Sequence, residues 1–179
     1  METQDRILKA AEDRIRVGGY NGFSFRDIAR DTGLTNAGVH HYFPTKAALV
    51  VKVTEVYHQR FMTKLNEAPP KKRVGRLRHL FGQSLKTDGK MCLCGLLAAE
   101  SGDLPNDVTE QARKFFGALK DSLLDSFPQS NDREGAALAL LAQLEGAILL
   151  AIVSGDNDIF DQATRGMGSD TMVNDRKPN

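Results

Sequence analysis

The 179-residue chain has no tryptophan, only two cysteines, six prolines, and 7% aromatic residues. The cysteines, Cys92 and Cys94, are separated by one residue, so they cannot form the disulfide framework that staples small secreted domains. There is no second cysteine pair, and the four histidines stand at positions 40, 41, 58 and 79, which speaks against a structural zinc site. No glycine-rich phosphate loop and no nucleophile-elbow pattern occurs, so nothing announces an enzyme and no cofactor is expected. The opening METQDRILKA lacks the apolar core of a signal peptide, which points to a reducing, cytoplasmic location. With 41% hydrophobic and 26% charged residues the composition is that of a folded globular chain. Strand-period stretches are also missing.

Neither charge sign is in excess overall, with 24 Lys plus Arg against 23 Asp plus Glu, but the charges are unevenly placed. Residues 1–60 carry 9 basic and 7 acidic side chains, 61–90 carry 8 and 2, and 91–179 carry 7 and 14. A polyanion met by the amino-terminal half alone would fit that asymmetry, and so would a solvated basic helix face.

What is present is helical spacing. Ile7, Leu8, Ala11 and Ile15 share one face of a first helix, capped by Thr3 and stopped at Gly18-Gly19. Ser24-x-x-Asp27 has capping-box form for a second helix over Arg26 to Thr32, and Gly33 ends it. Thr35 caps a third helix, Asn36 to Tyr42, and Thr45 caps a long fourth carrying Leu49, Val53, Val56, Tyr57 and Phe61. Ala29 keeps the second helix slim where the third must cross it, Gly33 permits the turn, and Ile28, Leu34 and Val39 form a shared core. Thr35, Asn36, Ala37, His40 and His41 then face outward, small or hydrogen-bonding side chains suited to a helix that enters a DNA major groove. The third helix contains neither Lys nor Arg. Its grip on phosphate must therefore come from the helix starts at Arg26 and Lys46, from hydroxyls, with Ser24 among the candidate DNA contacts, from backbone amides and from any protonated histidine.

The run Phe23-Ser-Phe-Arg-Asp-Ile-Ala-Arg-Asp-Thr-Gly-Leu-Thr-Asn-Ala-Gly-Val-His-His-Tyr-Phe-Pro-Thr-Lys-Ala-Ala-Leu49 resembles the DNA-binding head of the tetracycline-repressor (TetR) family. The small residue at Ala29, the Gly33 turn, the Tyr42-Phe43 pair and the Thr45-Lys46 helix start all fall at the family's spacing. The resemblance covers about residues 3–60. It implies an all-α protein: a helix-turn-helix head and a helical carboxy-terminal domain for effector binding and dimerisation. It also implies a homodimer on a palindromic double-stranded DNA operator, repressing until a small molecule binds. By resemblance Tyr42 and Lys46 match phosphate-contacting positions, while Thr35, Asn36, Ala37 and His41 match groove-facing ones. Many relatives have tyrosine where this chain has His40, so their sequence preference does not transfer.

Beyond Ala68-Pro69-Pro70, a fifth helix carries Val74, Leu77, Leu80, Phe81 and Leu85, with Lys71, Lys72, Arg73, Arg76 and Arg78 on its outer face. A short helix is expected around Met91 to Ser101 and a longer one from Val108 to Leu124. Phe81, Met91, Cys92, Cys94, Phe115, Phe116 and Leu119 are the candidate walls of an effector pocket, with the two thiols as candidate sensors. Asn131-x-x-Glu134 can cap the next segment, Gly135 to Val153, whose only clearly polar side chains are Gln143 and Glu145. Glu145 in mid-run, the abundance of alanine and the acidic flanks Asp132 and Asp156 argue against a membrane span. A helix apolar all round must be covered all round, centrally or by a second subunit, and the segment around Leu138 to Val153 resembles the family's dimer interface. A last helix is expected over Asp158 to Arg165.

The expected organisation is a head over 1–48, an effector and dimerisation domain over 49–166, and a disordered tail over 167–179. Two other readings remain at this stage: a helical ligand-binding or adaptor protein whose head does not bind DNA, and a thiol-dependent enzyme using Cys92 or Cys94.

Overall fold

The structure, a computed structural model, describes residues 2–168; the expected tail lies outside the described residues from position 169 onward. The described residues form nine α-helices, two short 3₁₀ turns and no strands, as helical spacing along the whole chain requires. The helices are α1 (Thr3–Gly18), α2 (Phe25–Thr32), α3 (Asn36–Tyr42), α4 (Lys46–Asn66), α5 (Arg73–Asp88), α6 (Leu93–Ala99), α7 (Asn106–Leu123), α8 (Arg133–Ser154) and α9 (Asp158–Ala163). They fall into two compact units: residues 1–61 with 91–116, and residues 62–90 with 117 onward.

In the first unit Ile7, Ala11, Ile15, Ile28, Val39, Leu49 and Val50 form the buried centre of a three-helix head with the start of α4. Side chains lock the head at its edges. Arg14 makes a two-pronged contact with Asp31, Nε to Oδ2 at 2.7 Å and Nη2 to Oδ1 at 2.9 Å, tying α1 to α2. Arg6 donates to the Thr32 carbonyl at the end of α2. Glu12, only 7% exposed, accepts from Arg60 on α4 at 2.7 Å. Further along α4 and α7, Phe115 centres an aromatic cluster, its ring centroid 5.3–5.7 Å from those of Tyr57, His58, Phe61 and Phe116.

The Arg14 guanidinium, chiefly through its hydrogen bonds, holds the Asp31 carboxyl below the usual carboxylate range. A carboxyl with a depressed folded pKa adds stability above its unfolded value near 4 and loses it as pH falls through the lower folded value. D31N is therefore expected to lower stability by about 1 kcal/mol at neutral pH, a figure suited to a half-exposed bidentate pair. Urea titrations at stepped pH should show the difference between wild type and D31N shrinking to nothing below pH 4. A difference that persists into acid would contradict the assignment.

The second unit uses the basic stretch after Pro70 largely as fasteners. Arg73 donates to the Ser122 carbonyl at 2.9 Å, Arg76 pairs with Glu67, and Arg78 and Lys86 converge on Asp161 of α9 at 2.9 and 2.5 Å. Gly82 allows α9 to approach: a Cβ there would lie 2.9 Å from the Phe160 ring, which is itself buried. Asp161 is held in its charged form by Lys86 first and Arg78 next, so this clasp too belongs to neutral pH.

Two cap assignments need correction. Thr3 does not cap α1: it is the first helical residue, Glu2 takes the cap position, and no side-chain bond is made there. The cap of α8 is Asp132, whose carboxylate accepts from the Gly135 N–H at 2.8 Å, because Asn131 lies one residue too early for that reach. Of the two coverings expected for α8, the central one is not what its own chain supplies, since one face stays open. Its buried face is Ala137, Leu140, Leu141, Leu144, Ala147, Ile148 and Ala151, while the opposite face leaves Leu138 (53%), Leu149 (56%), Leu150 (53%) and Val153 (75%) open. The α8 helix is long and apolar enough to cross a membrane, yet in this unit it packs against α5 and α9. At the carboxy-terminal end packing continues to Met167, which is buried, one residue into the segment expected as a tail.

Candidate nucleic-acid interface

Local chemistry fixes the turn that presents α3. Ser24 and Asp27 form the expected capping box, with the Ser24 hydroxyl accepting from the Asp27 N–H and the Asp27 carboxylate accepting from the Ser24 N–H at 2.9 Å. The hydrogen bond from the Ser24 hydroxyl is the main cause that keeps Asp27 ionised to lower pH. Gly33 closes α2 at φ +71°, a left-handed conformation that a side chain would strain. Two residues later the Thr35 hydroxyl caps α3, accepting from the Gly38 N–H at 3.0 Å.

Val39 is fully buried and anchors α3. With it on the inner side, helical geometry puts Asn36, Ala37, His40 and His41 together on the outer side, and all four are exposed, as are Ser24, Arg26, Thr35 and Tyr42. The structure thus brings the residues expected to face the groove onto one surface. Tyr42 stands on its flank with its ring edge toward His41 at 5.5 Å. His40 is not a free imidazole: it packs edge-on against Phe25 of α2, centroids 4.5 Å apart. At this position the ring braces α3 on α2 as well as facing solvent.

Lys46 has the least expected environment. Its ammonium donates to the Phe23 carbonyl at 2.6 Å and lies over the Tyr20 and Phe23 rings, 4.8 and 4.5 Å from their centroids. Desolvation pushes its pKa down, and the negative charges of Glu100 and then Asp27 oppose that shift. An ammonium has three donors, and the Phe23 carbonyl takes one of them. Sequence reasoning missed Tyr20, Phe23 and Glu100 as parts of this site. The helix-turn-helix pattern carries no signal for Glu100, which reaches the head from 80 residues away in sequence.

The head's other cations are mostly engaged: Lys9 with Asp13, Arg14 with Asp31 and Arg30 with Asp27. Arg26 is exposed and has no ion pair among the described residues. Such a surface offers hydrogen-bonding groups to base edges and few unengaged charges to phosphate.

The model of the bacterial regulatory proteins of the tetR family matches residues 7–53, the stretch from α1 into α4. A TetR-family transcriptional regulator from Agrobacterium tumefaciens has a crystal structure similar to this one, with a TM-score of 0.84 and 30% identity over 91% of this chain and 94% of that one. The chain belongs to the TetR family. A TetR regulator from Legionella pneumophila is likewise similar, with a TM-score of 0.84 and 28% identity over 91% of this chain and 94% of that one. The HTH-type transcriptional regulator CymR of Pseudomonas putida is 37% identical over 60 residues, 33% of this chain and 30% of its own. As a TetR-family member the protein is a DNA-binding transcriptional regulator, and the helix-turn-helix of α2 and α3 is its head.

The residues singled out as pocket walls divide between the two units of this TetR-family chain. Met91, Cys92, Cys94, Phe115 and Phe116 fall in the first, Phe81 and Leu119 in the second. Cys92 and Cys94 are both buried and free of disulfide. Cys92 caps α6: its sulfur accepts from the Gly95 N–H at 3.4 Å and faces the Tyr57 hydroxyl at 3.8 Å. Burial, with the neighbouring thiols adding to it, pushes the Tyr57 phenol well above its usual pKa, so Tyr57 acts as a neutral donor. An open depression of about 280 Å³ in the second unit is lined by Arg78, His79, Gln83, Lys86, Phe160 and Asp161, and by none of the predicted wall residues.

Proposed function

We propose that the protein is a cytoplasmic, homodimeric repressor that binds a palindromic operator and is released by a small-molecule effector. The observation that carries the DNA reading is the outer face of α3, where Asn36, Ala37, His40 and His41 stand exposed on a turn fixed at Ser24, Gly33 and Thr35. Ser24, Arg26, Tyr42 and Lys46 are the proposed phosphate contacts. The head comprises residues 1–48 and the remainder to 166 serves effector binding and dimerisation, two subunits meeting through the open face of α8. Met91 and Phe116 of the first unit, both half-buried, mark the proposed effector side, with fully buried Phe115 as the core ring on which Phe116 packs. Burial of Cys92 and Cys94 favours a structural role for both thiols over chemical sensing. Release is a population shift, in which effector binds better to the arrangement that cannot span the operator.

Footprinting on the gene's own upstream region tests this reading, with protection expected over two half-sites about 34 Å or somewhat more apart. On that sequence Y42F and K46A should weaken binding uniformly, while N36A and H41A should relax preference at single base pairs at a cost of about 1–3 kcal/mol. The dependence of log affinity on log salt should have a slope of roughly two to four per dimer. Protection without dyad symmetry, or a salt slope near ten, would defeat the model.

A further inference from the structure

We infer that Glu100, which follows α6, is a positioning residue for the head: it ties α6 to the turn that seats Lys46. The inference rests on the proposed contact of Lys46 with phosphate and adds how that contact is governed.

Glu100 accepts from the Tyr20 backbone N–H, with Oε2 2.8 Å from the nitrogen. This N–H lies just beyond the end of α1, next to the buried Gly19, which turns at φ +70°. A Cβ at Gly19 would overlap the Glu100 carboxylate, so the glycine is what lets the acid come this close. The turn therefore needs both partners, a residue tolerant of positive φ and an acceptor supplied from α6.

Tyr20 then carries the link onward. Its ring and that of Phe23 flank the Lys46 ammonium, which also donates to the Phe23 carbonyl. Three elements of one unit thus converge on Lys46: the α1–α2 connection by two rings and a carbonyl, α4 by the lysine itself, and α6 by the carboxylate that fixes the Tyr20 backbone. The other end of α6 is held to α1 as well, since buried Arg16 donates to the Met91 carbonyl at 2.9 Å. A shift of α6 along α1 must either break the Glu100 bond or drag the Tyr20 turn with it. In both cases the aromatic seat of Lys46 changes while the capped α2–α3 turn stays intact.

The test uses the full chain and a labelled duplex of its protected upstream sequence, read by fluorescence anisotropy for wild type, E100A, E100Q, K46A and E100A/K46A. E100A should bind about tenfold more weakly. E100Q keeps an oxygen for the Tyr20 N–H and should stay within about threefold of wild type. In the K46A background, removing Glu100 should cost less than about twofold, since coupled residues do not add. A readout independent of DNA is the NMR titration of the carbon-labelled Lys46 side chain: loss of the carboxylate charge in E100Q should move the ammonium to a lower pKa. Wild-type affinity in E100A, an equal loss in both backgrounds, or an unmoved Lys46 titration would overturn the inference. Should E100A fail to fold, the E100Q titration decides alone. K46A binding as tightly as wild type is a separate result, which removes the phosphate contact on which the inference rests.

Discussion

Leu149→Asp should convert the regulator from dimer to monomer and weaken operator binding by at least about a hundredfold. Leu149 lies on the open face of α8 with Leu138, Leu150 and Val153, and the small residues Ala142 and Gly146 between them permit close approach of a second helix. An apolar strip of this kind on an otherwise polar surface is unfavourable in water and favourable against its own copy. In a two-fold interface every residue counts twice, so the substitution buries two carboxylates near one another, each costing several kcal/mol of desolvation. A dimer gains operator affinity because the second head binds from an effective concentration set by its tether, and a monomer forfeits that gain of about 10²–10⁴. Sedimentation and anisotropy on one sample check both halves of the expectation. L149A, which leaves the strip apolar, should dissociate only on dilution. A variant that stays dimeric with full affinity would mean the subunits meet elsewhere.

That face also shows what a sequence can and cannot disclose. The run from Gly135 to Val153 reads as apolar on all sides, and periodicity alone cannot tell which side the chain itself covers. The answer depends on α5 and α9 packing against the side of Leu141, Leu144 and Ile148, a tertiary fact set by Gly82 admitting Phe160 and by Gln143 donating to the Ala163 carbonyl at 2.7 Å. The head was legible almost residue by residue because its determinants are local: a capping box spanning four residues, a glycine at one turn, a threonine cap. Lys46 was legible by position only. Its seat is built by Tyr20, Phe23 and, through the Tyr20 backbone, by Glu100, and no spacing rule connects position 46 to position 100. The basic excess between 61 and 90 looks in sequence like a surface for a polyanion. In the structure Arg73, Arg76, Arg78 and Lys86 are each turned to a carbonyl or carboxylate of their own unit.

Phe115→Ala should remove about 3–5 kcal/mol of stability, the largest loss expected from any single side chain in the first unit. Phe115 is fully buried, and its ring meets those of Tyr57, His58, Phe61 and Phe116. Truncation leaves four rings facing a gap, and rings locked by mutual edge contacts collapse poorly into empty space, which places the cost at the high end for a core substitution. Against a typical total of 5–15 kcal/mol such a loss leaves the protein marginal at body temperature, while in the cold α2 and α3 should still present the head and bind operator. Urea denaturation gives the magnitude, and anisotropy below the melting transition gives the binding. The size of the loss also discriminates between two roles for this residue. A side chain lining an open effector pocket already has one face in solvent and would cost about 1–1.5 kcal/mol to truncate. A core ring costs several times that and leaves a dry apolar cavity, which small aromatic molecules such as benzene should fill, raising the melting temperature of F115A and not that of wild type. Stabilisation of both proteins alike would instead mean that the cluster already encloses a ligand site before the ring is removed.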